Sequence, residues 1–251
     1  MIPLVAVAHG SRDPRSAATI HSLANAVRAA VPGLDVRVAF LDLSAPRVGD
    51  VLKSVHGDGY REAVLVPLLL GRAYHARVDV PAAVAEAQQR FSGLRVHVSD
   101  VLGPDERLDR AAWRRLMQTG VRPDDPELGV VLAAAGSSHA PANRLVAEVA
   151  ESWQARTSWA GVAPAFAAAA EPDVPAAVDL LRARGAKRIA VGSWFLAPGL
   201  LPDRIIQLAQ PHTQQIAAPM ADDAGVAELV VSRYAEALAA STESAAYPAA
   251  L

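Results

Sequence analysis

Short apolar runs alternate with longer, amphipathic, alanine-rich segments along the whole chain. In the first half, the apolar runs predict strands at Leu4–Ala8, Asp35–Leu41, Ala63–Leu70 and Leu94–Val98. The segments that follow them predict helices over 14–30, 45–55, 78–91 and 105–118. Near-continuous apolar strands separated by helices are typical of a parallel sheet with helices on both faces. The fold class predicted for this chain is therefore α/β.

The pattern restarts after a linker rich in proline and acidic residues, 121–128. An ungapped shift of 126 residues places Gly10 on Gly136 and Pro46 on Pro172, which indicates an internal repeat. In the second half, strands are expected near 129–134, 162–168, 187–196 and 213–218.

We therefore predict two similar domains, 1–120 and 129–240, each with a four-stranded, mostly parallel sheet flanked by helices. A cleft between two such domains is a common place for a ligand. The last segment, 241–251, has small residues and a proline, and we expect a flexible tail there.

The repeat breaks at two histidines, His9 and His75, which fall on Ala135 and Leu201 in the second half. Each follows a predicted strand, and parallel sheets bind ligands outside the carboxyl ends of their strands. Imidazole binds iron, cobalt, nickel and zinc, and it accepts protons near neutral pH. We therefore predict that the first half carries the chemistry, with His9 and His75 as metal ligands and catalytic groups. Two histidines with no obvious acidic partner indicate an open site from which a metal can leave.

Polar residues near the histidines are candidates for holding the other reactant. Ser11, Arg12, Arg72 and Arg77 lie close to them in sequence, and guanidinium groups pair with carboxylates. These four residues are predicted to bind a polycarboxylate, although each arginine is equally explained as a solvated surface residue. The Gly-Ser turn persists in the second half, so it is also explained as a tight turn before a helix. Asp79 either orients His75 or begins a helix.

The composition narrows the function classes. The chain has 251 residues, of which 52% are hydrophobic, a net charge of −2 and no cysteine. The absence of cysteine excludes disulfides, thiolate metal sites and iron–sulfur clusters, and the charge does not favour nucleic acid. No apolar run is long enough to span a bilayer, and the first residues lack a basic signal region, so we expect a cytoplasmic protein. No nucleotide-binding loop is present, so we expect no tightly bound cofactor, only a divalent metal as substrate.

Three motifs together resemble the class II tetrapyrrole chelatases, in particular the long, tandem-domain sirohydrochlorin chelatases of the CbiX/SirB type. They are His9-Gly10-Ser11-Arg12, Pro67–Leu70, and His75 followed by Asp79-Val80-Pro81. In the second half, Phe195–Gly199 and Asp203–Ile205 resemble the same family. The resemblance covers about residues 3–240, with one departure: Tyr74 stands where the family usually has glycine before the second histidine.

The resemblance implies insertion of Fe2+ or Co2+ into sirohydrochlorin, in the formation of siroheme or cobalamin, with His9 and His75 as metal-binding, catalytic residues. The tandem arrangement favours a monomer. Three alternatives stay open. In the first, the substrate is a different tetrapyrrole ring, because Tyr74 alters the motif. In the second, the protein is a tetrapyrrole or metal carrier without catalysis. In the third, Ser11 is the nucleophile of a hydrolase.

Overall fold

A computed structural model describes the backbone of residues 1–71 and 78–246, and side chains as far as residue 242. The chain forms two compact units. The first contains Met1–Gly103 together with the segment from Asp222 onward, and the second contains Pro104–Ala221. No helix in the described part of the chain is both long enough and apolar enough to cross a membrane.

The first unit is built on a four-stranded parallel sheet. Its strands are β1 (Leu4–Ala8), β2 (Val36–Phe40), β3 (Glu62–Pro67) and β4 (Arg95–Val98), in the order β2-β1-β3-β4. The helices between them are α1 (Pro14–Ala30), α2 (Val48–Gly57) and α3 (Val80–Arg90). Strand β1 is central and buried along its whole length, which explains its unbroken apolar sequence. Because β1 lies between β2 and β3, the residues that follow these three strands share one edge of the sheet.

The second unit repeats this arrangement with a smaller sheet. It contains α4 (Glu106–Met117), β5 (Leu128–Ala134), α5 (Ala140–Ala155), β6 (Gly161–Phe166), α6 (Val174–Ala183), β7 (Arg188–Trp194) and α7 (Leu200–Ala209). The three strands are parallel in the order β6-β5-β7. The α/β class is confirmed, with one sheet of four strands and one of three.

The prediction of a fourth strand near 213–218 is wrong: in the described structure, this segment does not form a strand of the second sheet. One parallel bridge joins Val191 to Ile216, with hydrogen bonds from Val191 N to Gln215 O and from Ala217 N to Val191 O, both 2.8 Å. The amide of Ile216 donates instead to Gln214 O at 3.1 Å. The backbone therefore turns locally, and Pro219 follows directly, so the segment is too short for a ladder.

The terminal helix of each repeat does not pack in the way that the chain order suggests. Helix α4 packs against β7, whereas α8 (Ala224–Ala246) packs against α1 and β3. In the first unit, Tyr234 of α8 donates its hydroxyl hydrogen to Ile2 O at 2.6 Å. Arg233 donates to the carbonyl oxygens of Val101 and Leu102 at 2.9 and 3.2 Å.

The compact units therefore differ from the bounds 1–120 and 129–240 expected from the sequence. The amphipathic pattern of a helix shows that it has an apolar face but not which sheet covers that face. The expected tail also begins too early, because α8 continues to Ala246. Residues 247–251 lie outside the described residues.

Candidate functional site

His9 lies directly after β1, at the carboxyl edge of the first sheet. Its backbone is tied to the loop that follows β2: Leu41 N donates to Ala8 O at 3.0 Å, and Asp42 N donates to His9 O at 2.8 Å. The side chain is half-buried, and its Nδ1 lies 3.2 Å from Gly10 O. A proton on Nδ1 points to that carbonyl and leaves Nε2 as the nitrogen with a lone pair. With that tautomer, Nε2 is the nitrogen that can bind a metal.

Gly10 allows the turn to approach the neighbouring loop. Its φ of +98° is a conformation that side-chain-bearing residues rarely adopt, and an added Cβ would lie 1.7 Å from Asp42 O. Gly136, at the equivalent position of the second unit, has a φ of +84°, and its Cβ would lie 1.9 Å from Ala168 O. The same close approach is kept in the half that lacks His9. The glycine is therefore part of the fold, as the turn interpretation predicted.

Ser11 completes the turn. Its amide donates to Ser44 Oγ at 3.0 Å, and Ser44 Oγ donates back to Ser11 O at 2.8 Å. The Ser11 hydroxyl oxygen accepts the amide hydrogen of Asp13 at 3.1 Å. Asp13 in turn caps α1 by accepting from the amide of Arg15 at 2.9 Å. Ser11, predicted as a ligand-binding residue, is thus engaged in shaping the start of α1.

Asp42 is a candidate that the sequence interpretation missed. The pKa of its carboxyl is lowered, chiefly by the hydrogen bond from Arg47, then by the backbone of Leu43, and further by the nearby imidazole of His9. Asp42 therefore carries its negative charge beside His9 at neutral pH. Carboxylate and imidazole together suit a first-row divalent metal. A signal was available in the sequence, because the repeat places Ala168 at the position of Asp42.

The two halves share the backbone of this loop and differ in its side chains. Leu43 and Ala169 have φ values of 61° and 58°. The amides of Phe40 and Phe166 both donate at 2.9 Å, to Pro46 O and Pro172 O respectively. On this common frame, the second half has an alanine run, 167–170, and it lacks the histidine. At this loop, the halves therefore differ in their side chains rather than in the course of the backbone.

Comparison with known proteins fits this division into two halves. The CbiX family model matches residues 3–119 and, a second time, residues 129–237. The chain belongs to the CbiX family. The resemblance stated from the His9 and His75 motifs is thereby confirmed at the level of the family.

Curated relatives of this chain are named for two different metals, iron and cobalt. A sirohydrochlorin ferrochelatase of Priestia megaterium is 27% identical over 202 residues, covering 79% of this chain and 74% of that protein. A sirohydrochlorin cobaltochelatase of the same organism is 24% identical over 213 residues, covering 83% of this chain and 69% of that protein. Among solved structures, SirB from Bacillus subtilis with Fe3+ has a TM-score of 0.81 at 23% identity. The match covers 97% of this chain and 98% of SirB. This last similarity shows that the CbiX chain has the SirB fold.

Of the other predicted site residues, some lie in the described part of the chain and some lie outside it. Arg12 lies exposed in the turn before α1. His75, Arg72 and Arg77, together with Tyr74, lie outside the described residues, and their predicted roles stay predictions. Strand β3, which precedes them, is the direct neighbour of β1, with Val7 paired to Pro67, as the sequence argument required.

Asp79 directly precedes α3 and makes no side-chain capping hydrogen bond. Its role toward His75 therefore remains a prediction. Within residues 1–71 and 78–242, no group of three histidine, aspartate or glutamate side chains is placed to hold a metal. A centre with three such ligands that includes His9 and Asp42 would therefore need a side chain from outside these residues.

Four other histidines make contacts that explain them structurally. His21 meets the edge of Phe40, and His56 stacks on Phe91. His97 Nε2 lies 3.2 Å from Glu62, and His212 Nδ1 lies 3.5 Å from Arg182. These contacts agree with the expectation that these four residues are surface or structural histidines.

Proposed function

We propose that this chain is a sirohydrochlorin chelatase that inserts Fe2+ or Co2+ into sirohydrochlorin. The observation that carries the proposal is that a backbone hydrogen bond brings His9 and Asp42 together at the sheet edge of one half, on a backbone that the other half keeps with alanine at both positions. Membership of the CbiX family, together with relatives named for this reaction, supports the same assignment.

The proposed metal ligands are His9, through Nε2, the carboxylate of Asp42, and His75 from the segment that follows β3. Two imidazoles and one carboxylate, with no thiolate, suit divalent iron and other first-row metals and leave coordination positions open. Relatives named for iron and for cobalt match this chain at 27% and 24% identity. Both metals are therefore proposed as substrates.

The chelation step balances without a redox partner or a nucleotide. As the divalent metal enters the ring, two pyrrole N–H protons leave, so the charge of the ring is unchanged. The imidazoles of His9 and His75 are the proposed acceptors, directly or through water. The carboxylates of the ring are proposed to face Arg12, Arg72 and Arg77, because guanidinium binds carboxylate through paired hydrogen bonds.

Metallation of purified rings distinguishes the proposal from the alternatives. Sirohydrochlorin and coproporphyrin are each mixed with Co2+ or Fe2+ under anaerobic conditions, with and without catalytic amounts of protein, and followed by absorbance. The proposal predicts multiple turnovers with sirohydrochlorin, well above the rate with free metal. A single stoichiometric transfer with no rate gain would instead indicate a carrier, and turnover only with coproporphyrin would indicate another ring.

We further propose that the chain acts as a monomer in the cytoplasm and without a resident cofactor. Two repeats of one fold within a single chain support the monomer. Sedimentation velocity at micromolar concentration tests it, because a dimer would have twice the mass of the 26.2 kDa chain.

A further inference from the structure

Arg47 joins two successive groups of the loop beside His9. Its Nη1 donates to Leu41 O at 2.8 Å and to Asp42 Oδ1 at 2.7 Å. Leu41 and Asp42 are the residues whose amides hold the backbone of Ala8 and His9. The guanidinium is therefore anchored to the segment that carries Asp42 and that holds the backbone of His9.

The backbone fixes Arg47 in this place. It forms a parallel bridge with Phe40 at the end of β2, and it directly precedes α2. Its side chain makes no hydrogen bond to the start of that helix. In the second half, Asp173 occupies the equivalent position and caps α6 by accepting from Ala176 N at 3.0 Å. The first half thus has a cation on the loop where the second half has a helix cap.

The pair between Arg47 and Asp42 is open to water. The side chains are 49% and 60% exposed, and ion pairs of this kind are individually weak. A divalent metal that reaches the carboxylate can therefore displace the guanidinium. After displacement, the Arg47 guanidinium stays close to the metal. It continues to disfavour the bound divalent metal, because like charges a few ångströms apart repel even in water.

We propose that Arg47 is a positioning residue that holds the Asp42 carboxylate in the metal-free protein and competes with the metal for it. This inference rests on the proposed function. The guanidinium keeps the carboxylate beside His9 when no metal is bound. It also lowers the affinity for the metal, so that the metal passes to the ring rather than staying on the protein. When the metal has left, Arg47 takes the carboxylate back.

A pair with the same chemistry elsewhere in the chain supplies the control. Arg122 binds Asp124 at 2.9 Å, both side chains are exposed, and Arg122 likewise lowers the pKa of its partner. This pair lies between α4 and β5 of the second unit and not in the loop beside His9. Arg122→Ala therefore removes a similar exposed ion pair without touching the proposed site.

The test is a titration of the metal-free, full-length protein with Co2+ alone, followed by calorimetry and by cobalt absorbance. Arg47→Ala is expected to lower the Kd for Co2+ about 3- to 10-fold and to slow the removal of Co2+ by a chelator. Arg47→Lys keeps the charge and should stay close to wild type, and Arg122→Ala should match wild type. In an Asp42→Asn background, Arg47→Ala should have a much smaller effect.

The outcomes separate the two proposals. Unchanged or weaker Co2+ binding by Arg47→Ala, while His9→Ala weakens binding, would overturn the inference about Arg47 and leave the chelatase assignment standing. Equal tightening by Arg122→Ala would also overturn it, because the effect would then be one of overall charge. If His9→Ala binds Co2+ as the wild type does, the proposed site is wrong and the inference about Arg47 fails with it.

Discussion

The amide of Asp42 donates a hydrogen bond to the carbonyl oxygen of His9 at 2.8 Å, and the imidazole of His9 helps to lower the pKa of the Asp42 carboxyl. The two residues follow different strands, β1 and β2, and they meet because these strands are neighbours in the sheet. One backbone contact therefore sets the position of two of the three proposed ligands. Changes that disturb this contact should affect metal binding before they affect the rest of the fold.

Gly10→Ala should separate the loop from the turn. The new Cβ would lie 1.7 Å from Asp42 O, in addition to the strain of a φ of +98°. We expect the free energy of unfolding to fall by about 2–4 kcal/mol and Co2+ binding to weaken. Gly59→Ala is the matched control, because its φ is +91° and nothing lies within 4 Å of an added Cβ.

Denaturant unfolding and Co2+ titration measure both effects of these substitutions. For Gly59→Ala we expect a loss of only about 1 kcal/mol, the cost of positive φ alone, with unchanged Co2+ affinity. Equal losses of stability in the two variants would show that the approach of Gly10 to Asp42 is not tight.

Asp42→Asn removes the negative charge while keeping the size of the side chain. We expect Co2+ affinity to fall about 10- to 100-fold, as for the loss of one group that supports a metal. The pKa of Asp42 is lowered, so the carboxyl takes up a proton only in stronger acid than an ordinary aspartate does. The ratio of wild-type to Asp42→Asn affinity should therefore stay constant from pH 8 down to about pH 5.

Titration calorimetry at several pH values checks this ratio. Asp124→Asn, which breaks the exposed pair with Arg122, is the control and should bind Co2+ as the wild type does. A ratio that collapses between pH 7 and pH 5 would contradict an ionised Asp42 in that range.

Tyr234→Phe tests the attachment of α8 to the first unit. The buried hydroxyl donates to Ile2 O at 2.6 Å, and burial raises the pKa of this tyrosine. Loss of that hydrogen bond leaves a carbonyl without its donor, so we expect a loss of about 0.5–1.5 kcal/mol in unfolding free energy. Tyr60→Phe, on a ring that faces Arg37, should change stability by less. Equal values for the two variants would argue against the attachment.

Much of the fold could be predicted from the sequence, because buried strands and amphipathic helices have distinct periods. The position of His9 after β1 followed directly from that pattern. Asp42 was missed because a single aspartate in a loop is most often a solvated surface residue, so its position after a strand did not mark it as a ligand. Comparison of Asp42 with Ala168 in the repeat was the one sequence signal for it. The packing of α4 and α8 could not be predicted, since an apolar helix face does not specify its partner.

The role of His9 is tested by the rate of Co2+ insertion into sirohydrochlorin by wild type, His9→Ala and His212→Ala. His9 stands beside Asp42, whereas His212 contacts Arg182 on the surface of the second unit. We expect a loss of about 100-fold or more for His9→Ala, the range for a catalytic acid–base group, with unchanged far-UV circular dichroism. His212→Ala should keep the wild-type rate. Insertion by His9→Ala at the wild-type rate would show that His9 is not part of the chelating site.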